Sequence, residues 1–69
     1  MRKYTCIAKI DNGKFVKYRT NHPTQIILFL QRKFGKCLFA NFYFKTGPNA
    51  GQMAGSWGSK KGFDLLKSN

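Results

Sequence analysis

The first twenty residues constrain the fold more than any other stretch, because two strand-like runs, YTCIAKI and KFVKYRT, flank Asp11-Asn12-Gly13. Together they read as a β-hairpin. Asn12-Gly13 alone suits a two-residue primed turn, whereas the triplet suits a type I turn closed by a left-handed glycine bulge. The two loops set different registers. With the shorter loop Ala8 faces Lys17 and Cys6 faces Arg19, which mixes apolar and charged groups on both faces. With the longer one Ile10 faces Lys14, Ala8 faces Val16 and Cys6 faces Tyr18. Side chains alternate strictly along a strand, so a one-residue slip moves a whole set to the other face, and clean segregation selects the longer loop. One face then carries Tyr4, Cys6, Ala8, Ile10, Val16 and Tyr18. The other carries Lys3, Thr5, Ile7, Lys9, Phe15, Lys17 and Arg19.

Thr20-Asn21-His22-Pro23-Thr24 then gathers cap-forming residues around a proline suited to a first helical turn. A helix over residues 23–34 is expected. Pro23, Ile26, Ile27, Leu30 and Phe34 share one side, Lys33 makes the last turn basic and Gly35 stops it. Leu28 and Phe29 lie on the flanks of that stripe, so either the sheet wraps the helix or a partner covers it.

Residues 36–46, KCLFANFYFKT, have the composition of a long strand. Alternation turns Leu38, Ala40, Phe42 and Phe44 toward the helix and Cys37, Phe39, Asn41, Tyr43 and Lys45 away from it. A strand, helix, strand crossover sets this strand parallel to the second and therefore antiparallel to the first. The fold class expected is α+β: a small antiparallel sheet, β-β-α-β in order 2-1-3, with one helix packed on one face. Cys6 and Cys37 then occupy neighbouring strands but point to opposite faces, and cannot bridge. Residues 46–62 read as a flexible glycine-rich loop, or a loop around a short fourth strand near Ser56 to Ser59. Phe63 to Lys67 fits a helical turn or a closing strand equally well.

With 69 residues the chain is one domain, 1–69, and a domain of this size buries only about 60% of the surface its unfolded chain exposes. Seven Phe, three Tyr and one Trp argue against a disordered tail. Thirteen Lys and Arg against two acids leave a charge of +11, which opposes compaction and attracts polyanions. Nucleic acid is the commonest such partner. Two cysteines are too few for a secreted disulfide scaffold and fit free thiols in a reducing cytoplasm. The longest purely apolar run, Ile26 to Leu30, is far short of a membrane span, and no apolar segment of signal-peptide length follows Met1-Arg2-Lys3.

Catalytic motifs are missing: no GxxxxGK[ST] phosphate loop, no GxGxxG and no paired Cys-x-x-Cys knuckles. Asp11 and Asp64 are the whole stock of acidic side chains, too few for a metal-dependent nuclease. No cofactor is implied, and the chain reads as non-enzymatic. His22, the one histidine, introduces the helix; its sharper reading is the acid or base of a metal-independent ribonuclease.

The outward sheet face is the stronger lead. It collects Lys3, Lys9, Lys17, Arg19 and Lys45 with Phe15, Phe39 and Tyr43, the layout of a platform on which unpaired bases stack while cations hold phosphates. Trp57, Lys60 and Lys61, at the end of the glycine-rich segment, form a second candidate contact. Against these readings, Phe39 and Tyr43 could pack beneath the glycine-rich segment or in a homodimer, and Trp57 could close the core. The expected partner is nucleic acid, single-stranded before duplex. A competing reading is a module or inhibitor that docks on an acidic protein surface, a behaviour open to compact charged proteins of mobile elements. A third, a cationic membrane-active helix using Ile26 to Phe34, is weaker because the sheet already accounts for the apolar stripe.

Overall fold

The computed structural model describes residues 3–64. They form an α+β fold in the chain order β1 (Tyr4–Ile10), β2 (Phe15–Thr20), α1 (Pro23–Phe34), β3 (Cys37–Phe44), β4 (Met53–Gly58) and β5 (Gly62–Phe63). The strands make one antiparallel sheet, ordered β2-β1-β3-β4-β5 in space, so β2 lies at one margin and the short β5 at the other.

The first hairpin takes the three-residue loop. Ala8 opposes Val16 and Cys6 opposes Tyr18. The Gly13 N–H donates to the Ile10 carbonyl at 2.9 Å, and the Ile10 N–H donates to the Lys14 carbonyl at 3.0 Å. Gly13 holds φ at 84°, the left-handed conformation such a loop requires.

Between β2 and α1 the Thr20 hydroxyl accepts the His22 N–H at 2.9 Å, and this turn delivers the chain to Pro23, where the helix starts. A twelve-residue helix is marginal by itself in water and needs a packed face. Ile27 and Leu30 supply it, buried against Cys6, Ala8, Ala40 and Phe42, with Ile26 and Phe34 partly covered. Fully burying a side chain of this size contributes roughly 1.5–3 kcal/mol. Gly35, at φ 83°, ends the helix. Leu28 and Phe29 stay 56% and 43% exposed, so the sheet does not wrap them. The Phe29 ring meets the margin of the sheet, edge-on to Tyr18 with centroids 5.5 Å apart.

Strand β3 departs from simple alternation. Lys9 opposes Phe39 and Ile10 opposes Cys37, which leaves Leu38 as the extra residue of a β-bulge. The bulge turns Cys37 to the helix side, where it is buried, and leaves Leu38 half-buried. Cys6 and Cys37 therefore share a face, contrary to expectation, yet both are free. Cys37 lies opposite Ile10, four residues along β1 from Cys6 and so about 13 Å away, well beyond the roughly 7 Å that a disulfide spans between Cα atoms.

The glycine-rich segment is mostly sheet. Strand β4 pairs with β3, placing Trp57 opposite Ala40 and Ser56 opposite Asn41, and a second bulge at Ala54 lets Tyr43 face Met53 while Phe42 faces Gly55. The loop that precedes β4 is pinned: Phe44 donates its N–H to Gln52 at 2.9 Å and accepts the Gly51 N–H at 2.7 Å. The expected loop over 46–62 thus shrinks to residues 45–52 and the tight turn 59–61. Phe63 pairs with Trp57 in β5, while residues 65–67, expected to form a helical turn or a closing strand, lie outside the described residues. Among the described residues no helix is long and apolar enough to cross a membrane.

Candidate nucleic-acid interface

On the side of the sheet away from α1, antiparallel registers align side chains into rows across the strands. One row is Arg19, Thr5, Tyr43 and Met53. The next is Lys17, Ile7, Asn41 and Ser56, and the third is Phe15, Lys9, Phe39 and Gly58. Two residues of strand separate one row from the next, about 7 Å. Lys3 and Lys45 extend the pattern beyond the first row, joined through the Lys45 N–H donated to the Lys3 carbonyl at 2.9 Å. The Lys3 N–H is held in turn by the Asn21 carboxamide at 2.6 Å.

In the third row Phe15 and Phe39 meet edge to face across Lys9, with centroids 6.1 Å apart at 67°. The Lys9 ammonium lies 6.0 Å from the centre of the Phe15 ring. Phe15 is 60% exposed and Phe39 36%, which leaves ring surface for a stacked base. Tyr43 is half-buried two rows away. Strand β4 lies beside β3 and not over it, so it does not roof Phe39 or Tyr43. A depression of about 630 Å³ lies among Lys17, Arg19 and Lys45 at the opposite end of the face. No carboxylate stands among the members of the three rows on β1 to β4; Asp64, whose N–H donates to the Ser56 carbonyl at 2.8 Å, lies beside the end of the middle row.

The second expected contact region divides. Lys60 and Lys61 are exposed in the β4–β5 turn and rim a depression of about 390 Å³ that also contains Phe39, Asn41 and Ser56, so they join the sheet face. The Trp57 side chain does not. Its partner Ala40 is buried on the helix side; there Trp57 packs against the core cluster and meets Phe63 with centroids 6.5 Å apart. Assigning Trp57 as a base contact is therefore corrected: alternation in β4 turns it inward, where a small domain gains from its area.

Ser56, Gly58 and Met53 share the open face and were not among the candidates drawn from sequence. Their strand carries too many small residues for alternation to be read. His22 lies elsewhere, exposed at the start of α1 beside a depression of about 520 Å³ formed with Arg19, Asn21 and Gln25. Among the described residues no three His, Cys, Asp or Glu side chains converge. Compared with protein-family models, curated proteins and solved structures, the chain matches none.

Proposed function

We propose that this protein is a small, non-enzymatic nucleic-acid-binding module that holds an unpaired strand across the open face of its sheet. The observation that carries the reading is the row pattern: Lys9, Lys17 and Arg19, extended by Lys3 and Lys45, interleave with Phe15, Phe39 and Tyr43. Rings on a sheet stack bases in a sequence-tolerant way, and the surrounding cations hold the backbone by displacing its counterions. A duplex keeps its bases out of reach of such rings, so single strands should bind more tightly.

The test is fluorescence anisotropy with single-stranded and duplex DNA and RNA at two salt concentrations. With about five phosphates engaged, affinity for single strands should fall with a log–log salt slope near −3.5. Phe39→Ala should weaken binding by about 1–3 kcal/mol while leaving the slope unchanged. Salt-indifferent binding, or a preference for duplex, would overturn the proposal.

A second reading rests on a different surface. Leu28 and Phe29 are exposed on the outer side of α1 with Arg32 and Lys33 nearby, a composition suited to an acidic protein partner. If no nucleic acid binds in the titration above, this reading takes precedence.

A further inference from the structure

We infer that Asn41, with Ser56 beside it, reads the edge of one unpaired base, adenine, seated in the depression between Phe39 and the β4–β5 turn. The inference rests on the single-strand reading of the sheet face and adds to it a source of sequence preference.

Four observations converge on this spot. Asn41 stands in the middle row, one row from Phe39 and one from Tyr43, so a base stacked on either ring brings the adjoining nucleotide over the carboxamide. Ser56 is its direct partner on β4 and adds a hydroxyl that both donates and accepts. No side-chain hydrogen bond joins Asn41 or Ser56 to another described residue, and both are half-buried, so their polar groups are oriented but uncommitted. Finally, Gly58 faces Phe39 and contributes no side chain, which opens the floor of the depression. A Cβ added there would find no neighbour nearer than the Lys61 Cβ at 4.0 Å. Lys60 and Lys61 rim the same depression, where they can take the phosphate of the seated nucleotide.

The choice of base follows from the chemistry of the reader. A carboxamide presents one donor and one acceptor as a fork, and unpaired adenine offers the matching amine and ring nitrogen on both of its exposed edges, N6 with N1 and N6 with N7, where cytosine offers them on one. Guanine is best met by two donors, as in a guanidinium, and the Arg19 guanidinium stands in a different row across the sheet. A cytosine amine is best met by a carboxylate, and the nearest one, Asp64, whose N–H donates to the Ser56 carbonyl at 2.8 Å, does not line the depression.

The experiment uses the full chain and thymidine hexanucleotides in which one central position is varied among the four bases, followed by anisotropy at fixed low salt. The adenine-containing oligomer should bind about tenfold more tightly than the all-thymidine one, at the smaller end of what a two-point contact discriminates. Asn41→Ala should bring the ratio of adenine-oligomer to all-thymidine affinity, measured in the same variant, to near one, with the salt slope unchanged. Gly58→Val should bring that ratio to near one as well by filling the depression, with a thermal melt confirming that the fold is kept. Equal binding of all four oligomers by the wild type, a preference for another base, or an adenine preference that survives both substitutions overturns the inference while salt-dependent single-strand binding stands. Absence of binding to every oligomer overturns the single-strand reading, and the inference with it.

Discussion

Cys6 has no exposed surface beneath α1, and burial, with a smaller contribution from Cys37, pushes its thiol up from 9.0 to about 12. Burial raises the Cys37 thiol as well. The unfolded chain ionises these thiols first as pH rises, so above about 9 it binds fewer protons than the folded chain. Stability must then fall with pH. For Cys6 the contribution is complete below the ordinary thiol value and is lost progressively between about 9 and 12, by up to about 1.4 kcal/mol per pH unit, and Cys37 acts in the same direction. Urea denaturation at pH 8 and pH 10.5 measures it. Cys6→Ala should lose less stability over that interval than the wild type, and an identical loss in both would remove the thiol from the account. The same scale shows why Trp57 misleads a reader of the sequence. Flanked by lysines and glycines it resembles a contact residue, and only its register against Ala40 reveals that it faces the core.

The elements of the first half were legible because each carries its own punctuation. Asp11-Asn12-Gly13 and the segregation of faces define the hairpin register, and Pro23 and Gly35 bracket the helix at the residues observed. Gly13 gives a direct check on the hairpin. Its φ is 84° and nothing lies within 4 Å of an added Cβ, so replacing it costs backbone strain alone. Gly13→Ala should lower unfolding free energy by about 1–2 kcal/mol, read from a denaturant melt, with the sheet register retained. The second half was less legible for a physical reason. A bulge inserts one residue with no signature in composition, so Cys37 and Leu38 exchanged roles unannounced. Strand β4 is built from Met53, Ala54, Gly55, Ser56, Trp57 and Gly58, which offers no apolar alternation; its pairing depends on lying beside β3 and not on local preference. The open face of the sheet, assembled from β1, β2 and β3, was visible from alternation; the places of Ser56 and Gly58 on it were not.

At the level of the whole molecule, thirteen basic residues face two acidic ones, and charge governs behaviour that no single contact explains. Like charges oppose compaction and keep separate copies of the chain apart. Strand β2 feels this most. Among the described residues it pairs with β1 alone, and such a border is a template for another chain. Lys17 and Arg19 guard it. A polyanion laid across the sheet cancels that guard, and coverage then favours zipping of one copy onto the next. Light scattering should accordingly peak where protein and phosphate charges balance and subside when either is in excess; a flat profile would mean that the bare border is kept quiet by something other than repulsion.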